Sequence, residues 1–347
     1  MIVPYTKLEY VWIGGREELR SKTKIVPTNY EHCAYDLDKL LKIMPDWNYD
    51  GSSTKQASGD NSEIVIKPIR VYKNPFSKTG GFIVLCDTYL PDDTPHPTNT
   101  RHKAKEIFDK YNAAEEKPLF GLEHEFFVID LATEKPLGFP SENELPPPQG
   151  PYYCSVGAGK CYGKEFLEEC LDACIFAGVN VTGSNLEVCP GQMEIQVCDY
   201  DLKAGDDSLM LKYILHRTGE KYGYQIDHSA KPVKGDWNGS GCHANFSTQT
   251  IREPNSYDII INMIRKLNDK HDEHIAVYGV DNKERLTGLH ETSSIDIFSY
   301  GVADRGASVR IPWATFNNKC GYFEDRRPSS SSDSYLVIST IFKTCVE

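Results

Sequence analysis

Short apolar-rich runs separated by turn residues mark the first ninety or so residues as strands joined by turns. Leu8 to Ile13 alternates, Gly14-Gly15 turns the chain, and Lys22 to Val26 reads as the returning strand. Ile64-Val65-Ile66 and Phe82 to Cys86 predict two more strands, with Asp50-Gly51-Ser52-Ser53-Thr54 between them as a loop of turn residues. Proline and aspartate crowd the stretch from Leu90 to Asn99, which suits a connection between domains. Helical spacing follows: Ala104, Ile107 and Phe108 predict a helix over Thr100 to Tyr111. Further helices are expected at Lys164 to Ala177, Asp207 to Gly223 and Tyr257 to His271, with a long loop from Pro136 to Gly163. The remainder alternates strands with glycine-rich loops, and Ser329 to Ser332 reads as a short low-complexity loop. The pattern is α+β, with a small, mostly β domain over residues 1–95 and a larger mixed domain over 96–347.

One strand breaks the apolar pattern in an informative way. Gly121-Leu122-Glu123-His124-Glu125-Phe126-Phe127-Val128-Ile129 sets two carboxylates two residues apart, on one strand face, with Leu122 and Phe126 on the other. Adjacent like charges repel, and burying either alone is costly. A half-solvated strand and a metal site both account for this motif. A second segment, Asn185 to Val197, carries Glu187 and Glu194 on either side of Pro190-Gly191. A two-residue hairpin there would set Glu187 directly across from Glu194, which a sheet avoids unless a cation compensates. Pro-Gly suits a type II turn better than the primed turns of tight hairpins, so this register is an expectation to test.

Composition narrows the class. The 347 residues, 39% hydrophobic and 25% charged, match an ordinary globular protein large enough for two domains. A net charge of -12 argues against a general nucleic-acid binder. No apolar run reaches membrane-spanning length. The 11 cysteines lack zinc-type spacing, and Met1-Ile2-Val3-Pro4 shows no secretory leader, so free thiols and a cytoplasmic location are expected.

Further constellations lie downstream. Asp236-Trp237-Asn238-Gly239-Ser240-Gly241-Cys242-His243-Ala244-Asn245-Phe246-Ser247 is a glycine-rich loop entering a strand, with His243 available as a ligand. Arg285 to Thr292 holds an arginine and Glu291 among turn residues. Asp304 to Pro312 spaces Arg305 and Arg310 five apart, and Arg310 within an apolar strand needs an anion to justify burial. Gly321-Tyr322-Phe323-Glu324-Asp325-Arg326-Arg327-Pro328 adds a fifth carboxylate beside two arginines.

In this order, the seven segments closely resemble glutamine synthetase, in its shorter eukaryotic-type branch. The resemblance runs from about Leu8 to near the end of the chain. It implies an N-terminal β-grasp-like domain and a C-terminal catalytic domain whose curved antiparallel sheet is flanked by helices. It also implies a homo-oligomer of stacked rings, a decamer, with active sites between subunits. The implied reaction joins ammonium to L-glutamate using ATP, through γ-glutamyl phosphate, with two or three magnesium or manganese ions per site.

The resemblance assigns residues as well. Glu125, Glu187 and Glu194 would hold the metal nearer glutamate, and Glu123, His243 and Glu324 the metal on the ATP phosphates. Arg305 and Arg310 would neutralise the transferring phosphoryl group. Arg285 and Arg326 would bind substrate carboxylates, with Asp236, Trp237 and Gly239 lining the glutamate pocket. Asn245, Phe246, Ser247 and Tyr322 belong with the nucleotide, alongside Glu194. Asp50 and Glu291 would attract ammonium and take its proton, with Ser53 and Tyr153 nearby, Asp50 and Ser53 acting in a neighbour's site. Three departures from the family pattern bear on substrate affinity: Leu119-Phe120, Asp236 and Trp313. A γ-glutamyl-polyamine ligase and a non-catalytic lens-type relative are the competing readings. Asp50 and Glu291 favour ammonia over the first, and the complete ligand set favours an enzyme over the second.

Overall fold

The structure, a computed structural model, describes residues 5–27, 36–140 and 146–347. Met1 to Pro4, and part of the long loop before Gly163, lie outside the described residues. Contacts divide the chain into two units, residues 1–103 with 173–179, and residues 104–172 with 180–347.

The first unit is built on five strands: β1 (Tyr5–Ile13), β2 (Leu19–Pro27), β3 (Trp47–Asp50), β4 (Glu63–Lys73) and β5 (Phe82–Tyr89), with a short helix α1 (Leu37–Leu41). The sheet order is β2-β1-β5-β4-β3. The central pair β1 and β5 is parallel, and the other pairs are antiparallel. Alternation on β1 turns Leu8, Tyr10 and Trp12 inward, where they meet Ile64 and Ile66 of β4, Val84 of β5 and Leu40 of α1. Each such aliphatic side chain contributes about 1.5–3 kcal/mol when fully buried. Asp36 opens α1 by accepting the Lys39 N–H at 3.0 Å.

The helix α2 (Thr100–Lys110) leads into the larger unit. There α3 (Ala113–Glu116), β6 (Leu119–Asp130), β7 (Lys135–Pro136), α4 (Lys164–Ala177), β8 (Val181–Leu186), β9 (Gln192–Tyr200), α5 (Asp201–Tyr222) and β10 (Tyr224–Asp227) follow. The remaining elements are β11 (Cys242–Ser247), α6 (Gln249–Arg252), α7 (Tyr257–Asp269), α8 (His271–Ile275), β12 (Tyr300–Val302), β13 (Val309–Ile311), α9 (Trp313–Asn318), β14 (Phe323–Asp325) and α10 (Ser334–Val346). Their sheet runs β12-β13-β14-β11-β6-β9-β8, with β7 and β10 also on β6. It is antiparallel throughout except for the parallel edge pair β12–β13.

Period two decides which face is which. On β6 the rear residues Leu122, His124 and Phe126 are fully buried. Behind the sheet, Phe246 lies between Phe120 and Phe323, its ring 5.1 Å and 5.6 Å from theirs. The helices α5 and α10 meet where the Tyr335 hydroxyl donates to Asp206 at 2.8 Å. The front face carries the polar residues and forms the site.

Two expectations change. The helix expected over Asp207 to Gly223 begins at Asp201. The C-terminal segment, part of the remainder expected to alternate strands with loops, forms α10, capped by Asp333 through the Tyr335 and Leu336 N–H groups. Ser329 to Ser332 is a loop as expected, with Ser329 and Ser330 fully buried and the Ser330 hydroxyl donating to the Glu125 carbonyl at 2.5 Å.

Candidate active site

Strand register alone brings together five of the six expected metal ligands: Glu123, Glu125, Glu194, His243 and Glu324. Across the sheet, Asn185, Glu194 and Glu125 occupy one row, on β8, β9 and β6. The next row is Gln196, Glu123 and His243. A third row is Gly121, Asn245, Glu324 and Arg310, on β6, β11, β14 and β13. Neighbouring rows are two residues apart along each strand, so these positions share one face. Gly121 belongs in the third row because a Cβ there would come 3.3 Å from Asn245 Cβ.

The expected hairpin register is corrected here. Asn185, not Glu187, faces Glu194, and Glu187 N donates to Gln192 O at 2.9 Å. The Pro190-Gly191 dipeptide does not make a two-residue hairpin. Gly191 takes φ +74° within a wider loop, and Glu187 reaches the cavity from the end of β8. The directly opposed carboxylates are instead Glu125 and Glu194, across β6 and β9.

A cavity on this face is lined by Glu123, Glu125, Glu187, Glu194, His243 and Glu324, together with Arg285, Arg305, Arg310, Arg326, Tyr153, Gly239 and Glu291. Asn185, Gln196, Asn238, His290 and Thr292 complete the lining. His243 Nδ1 lies 3.1 Å from Glu123 Oε2 and 3.6 Å from Glu324 Oε1, and its Nε2 lies 3.8 Å from Glu125 Oε1. Gly241 permits this crowding, since a Cβ there would lie 2.7 Å from His243 Nε2 and 3.2 Å from Arg285 Nη1.

The carboxylates are held by neutral amides. Asn245 donates to Glu123 at 2.8 Å, Gln192 to Glu125 at 3.2 Å, Asn185 to Glu187 at 2.7 Å and Gln196 to Glu194 at 2.7 Å. Gly241 N adds a backbone donor to Glu125 at 2.8 Å. Amides fix a carboxylate's direction without cancelling its charge. Glu324 differs: Arg310 at 3.0 Å and Arg326 at 2.6 Å hold its two oxygens. The Arg310 Nε is buried without a hydrogen-bond partner, an orphaned donor at the cavity that suits an anion.

Burial makes this cluster electrostatically expensive. Burial, and then Glu187 and Glu194, push the Glu125 carboxyl well above its usual range. Burial likewise raises Glu123, lifts Glu187 to about 7, and, with Glu123 adding to it, lifts Glu194 to about 8. His243 is held far below its ordinary value by burial and then by Arg326, so it is neutral with a lone pair to offer. Glu123, His243 and Glu324 each place a ligand atom within 4.8 Å of the others'. Such a donor set, rich in carboxylate oxygen with one imidazole, fits a divalent cation. Glu125, Glu187 and Glu194 also raise one another's electrostatic cost, which a cation would relieve.

The arginines are positioned by carbonyls. Arg285 Nη2 donates to the carbonyls of Arg326, Arg327 and Pro328, while burial lowers it to about 10. Arg326 Nη2 donates to the Glu291 carbonyl at 3.2 Å, and its Nε to that of Arg305. Arg305 Nε lies 3.6 Å from Glu291 Oε2, and its guanidinium 6.0 Å from the Tyr153 ring.

Other expected residues stand elsewhere. The Asp236 carboxylate is exposed and lies 3.2 Å from His290 Nε2. Trp237 packs in a small apolar cluster with Phe127 and Cys189. The Phe246 ring is fully buried in the core, and the Ser247 hydroxyl accepts from Arg252 at 2.9 Å. Tyr322 is exposed, its N–H on Thr315 Oγ1. Asp50 and Ser53 belong to the first unit, whereas every cavity-lining residue belongs to the second. Asp50 accepts from the Ser52 hydroxyl at 2.6 Å and the Ser53 hydroxyl at 2.7 Å, which hold it down to about 2.

Sequence reasoning passed over Asn185, Gln192 and Gln196. A signal existed for two of them: Asn185 is two residues before Glu187, and Gln196 two residues after Glu194, on the same strand faces.

Comparison with known proteins agrees with this chemistry. A family model described as glutamine synthetase, catalytic domain, matches residues 97–260. A protein of Arabidopsis thaliana named glutamine synthetase cytosolic isozyme 1-5 is 46% identical over 340 residues, 97% of this chain and 94% of that one. A putative glutamine synthetase of Acanthamoeba polyphaga mimivirus is 46% identical over 346 residues, 98% of this chain and 94% of its own. The nodule isozyme of Medicago sativa is 46% identical over 97% of this chain and 92% of its own. With carboxylates, histidine and arginines gathered on one sheet face and this identity along nearly its whole length, the chain belongs to the glutamine synthetase family.

Proposed function

We propose that the cavity ligates ammonia to L-glutamate at the expense of ATP, giving L-glutamine, ADP and phosphate. The observation that carries this reading is the convergence of six carboxylates, His243 and four arginines around one cavity. A carboxylate is a poor acyl donor, because its leaving group would be oxide. A glutamate side-chain oxygen therefore attacks the γ-phosphorus of ATP, the bond to the bridging oxygen breaks, and ADP departs. Ammonia then attacks the acyl carbon of γ-glutamyl phosphate and phosphate leaves.

The chain's part is positioning and charge. Arg305 and Arg310 neutralise the transferring phosphoryl oxygens, supported by the orphaned Arg310 Nε. Arg285 and Arg326, with Asp236, Trp237 and Gly239, serve the glutamate end, and Asn245, Phe246, Ser247 and Tyr322 the nucleotide end. Phe246 can contribute there only through its backbone, its ring being buried. Glu291 accepts a proton from ammonium so that the nitrogen lone pair is free. Glu125, Glu187 and Glu194 would hold one divalent ion, and Glu123, His243 and Glu324 another. Bound there, magnesium or manganese supplies charge neutralisation at phosphate and carboxylate oxygens.

Residues 96–347 form the catalytic domain in this reading, and residues 1–95 lend Asp50 and Ser53 to a neighbouring subunit's site within a ring-shaped cytoplasmic homo-oligomer. Large exposed apolar side chains such as Val156, Ile297 and Trp313 support subunit contacts.

The test supplies glutamate, ATP, magnesium and hydroxylamine, and follows γ-glutamyl hydroxamate. Product is expected, with ammonia preferred to polyamines at equal concentration. Glu123→Gln and Glu187→Gln should each abolish turnover and weaken ion binding. Absence of product with any amine overturns the reading, and a preference for polyamines overturns its ammonia specificity.

A further inference from the structure

A hydrogen-bonded chain at the cavity rim runs through two residues with no part in the scheme above, Gln149 and His290, to Asp236. Gln149, in the loop before α4, accepts the Asn238 N–H through Oε1 at 2.9 Å. That contact fixes the orientation of the Gln149 amide, so its Nε2, 2.9 Å from His290 Nδ1, is a donor. Nδ1 accepts from it. With Nδ1 accepting, Nε2 is the donor side of the ring, and it lies 3.2 Å from Asp236 Oδ1. Donors and acceptors match at every link, and the chain joins three loops that are far apart in sequence.

The loop it grips is unusual. His290 and Glu291 both take left-handed backbone angles, φ 53° and φ 58°. Side chains with a Cβ rarely hold that conformation, and two in succession persist only where the surroundings over-determine it. From the far side, Arg326 Nη2 donates to the Glu291 carbonyl at 3.2 Å. The peptide segment carrying Glu291 is therefore pinned on both flanks.

We infer that Gln149, His290 and Asp236 are positioning residues that hold Glu291 over the cavity, where it takes the ammonium proton and keeps water from the acyl phosphate. This rests on the proposed reaction. Without the bridge, the loop relaxes away from its left-handed geometry, Glu291 drifts, and water competes with the amine for γ-glutamyl phosphate. Metal binding is untouched, because none of the three residues contacts a ligand carboxylate.

The full-length chain, with Gln149→Leu and His290→Phe variants, is assayed with glutamate, ATP, magnesium and hydroxylamine, scoring ADP and hydroxamate separately. The unaltered protein releases one ADP per hydroxamate. Both variants are expected to release ADP in excess and to lose hydroxamate formation on the order of tenfold to a hundredfold, while magnesium affinity and thermal midpoint stay unchanged. Placed in a Glu291→Gln background, Gln149→Leu adds little, since it acts through that carboxylate. Stoichiometric coupling in Gln149→Leu, or full additivity with Glu291→Gln, overturns the inference. A fall in coupling accompanied by an equal fall in magnesium affinity overturns it as well. No hydroxamate from the unaltered protein overturns the reaction itself, a different result from any of these.

Discussion

At the scale of single residues, the site is a set of charges held in place by uncharged donors. Glu123, Glu125, Glu187 and Glu194 each have a carboxamide partner, whereas Glu324 is balanced by two arginines. Removing one donor should leave the charge and disturb its direction. Gln196→Leu is accordingly expected to weaken magnesium binding by about 10–100-fold, read by calorimetric titration, with the fold intact. Unchanged affinity would show that Gln196 is filler. The raised acids also set a pH dependence. Glu187 at about 7 and Glu194 at about 8 lie above their ordinary 4.5. Their folded forms favour the proton, so their stabilising contribution is complete below that ordinary value and is lost as pH rises through about 7 and 8. Chelator-treated protein should therefore lose thermal stability from pH 5.5 to about 8.5, and magnesium should restore more of it at the higher pH. A flat melting profile in the treated protein contradicts this. The carboxylates were legible in the sequence because two acids inside an apolar strand demand a reason. Their amide partners were not, because an amide on a strand face looks like any solvated polar residue.

At the scale of elements, alternation does the sorting. The segment Phe323 to Arg327 shows it most plainly: Glu324 and Arg326 line the cavity, while Asp325 and Arg327 pair behind it at 2.7 Å, both fully buried. Tyr278 donates to Asp325 at 2.8 Å, and His271 Nδ1 lies 3.0 Å from Arg327 Nη1. Breaking this pair leaves a buried charge alone, so Arg327→Met should cost about 3–5 kcal/mol, measured by urea unfolding. A loss within experimental error would show that the pair does not anchor β14. Register was less readable than alternation. Glu187 and Glu194 were expected face to face across Pro190-Gly191, but the turn is wider, and Glu125 became the partner of Glu194. The helix α10 escaped too. Its Val337, Ile338, Thr340 and Ile341 favour strands locally, yet the Asp333 cap and burial against α5 and α7 override that preference. Asp333→Ala should destabilise the protein by about 1 kcal/mol in the same unfolding assay.

At the scale of the whole molecule, the cavity belongs to the second unit, while Asp50 stands on the first, exposed and ionised. The sequence could suggest a shared site only through family resemblance, because no spacing within one chain encodes a neighbour. If Asp50 serves the next subunit, inactive Asp50→Ala and Glu187→Gln proteins should regain activity when dissociated and reassembled together, since some mixed sites carry neither defect. No recovery in verified mixed assemblies would place Asp50 outside the neighbour's site. In the proposed reaction the glutamate side-chain oxygen becomes bonded to phosphorus before nitrogen arrives. Glutamate carrying oxygen-18 in its side-chain carboxylate, incubated with ATP, magnesium and ammonia, tests it directly. One labelled oxygen should appear in each phosphate released. Phosphate free of label, with glutamine formed at the usual rate, would contradict it.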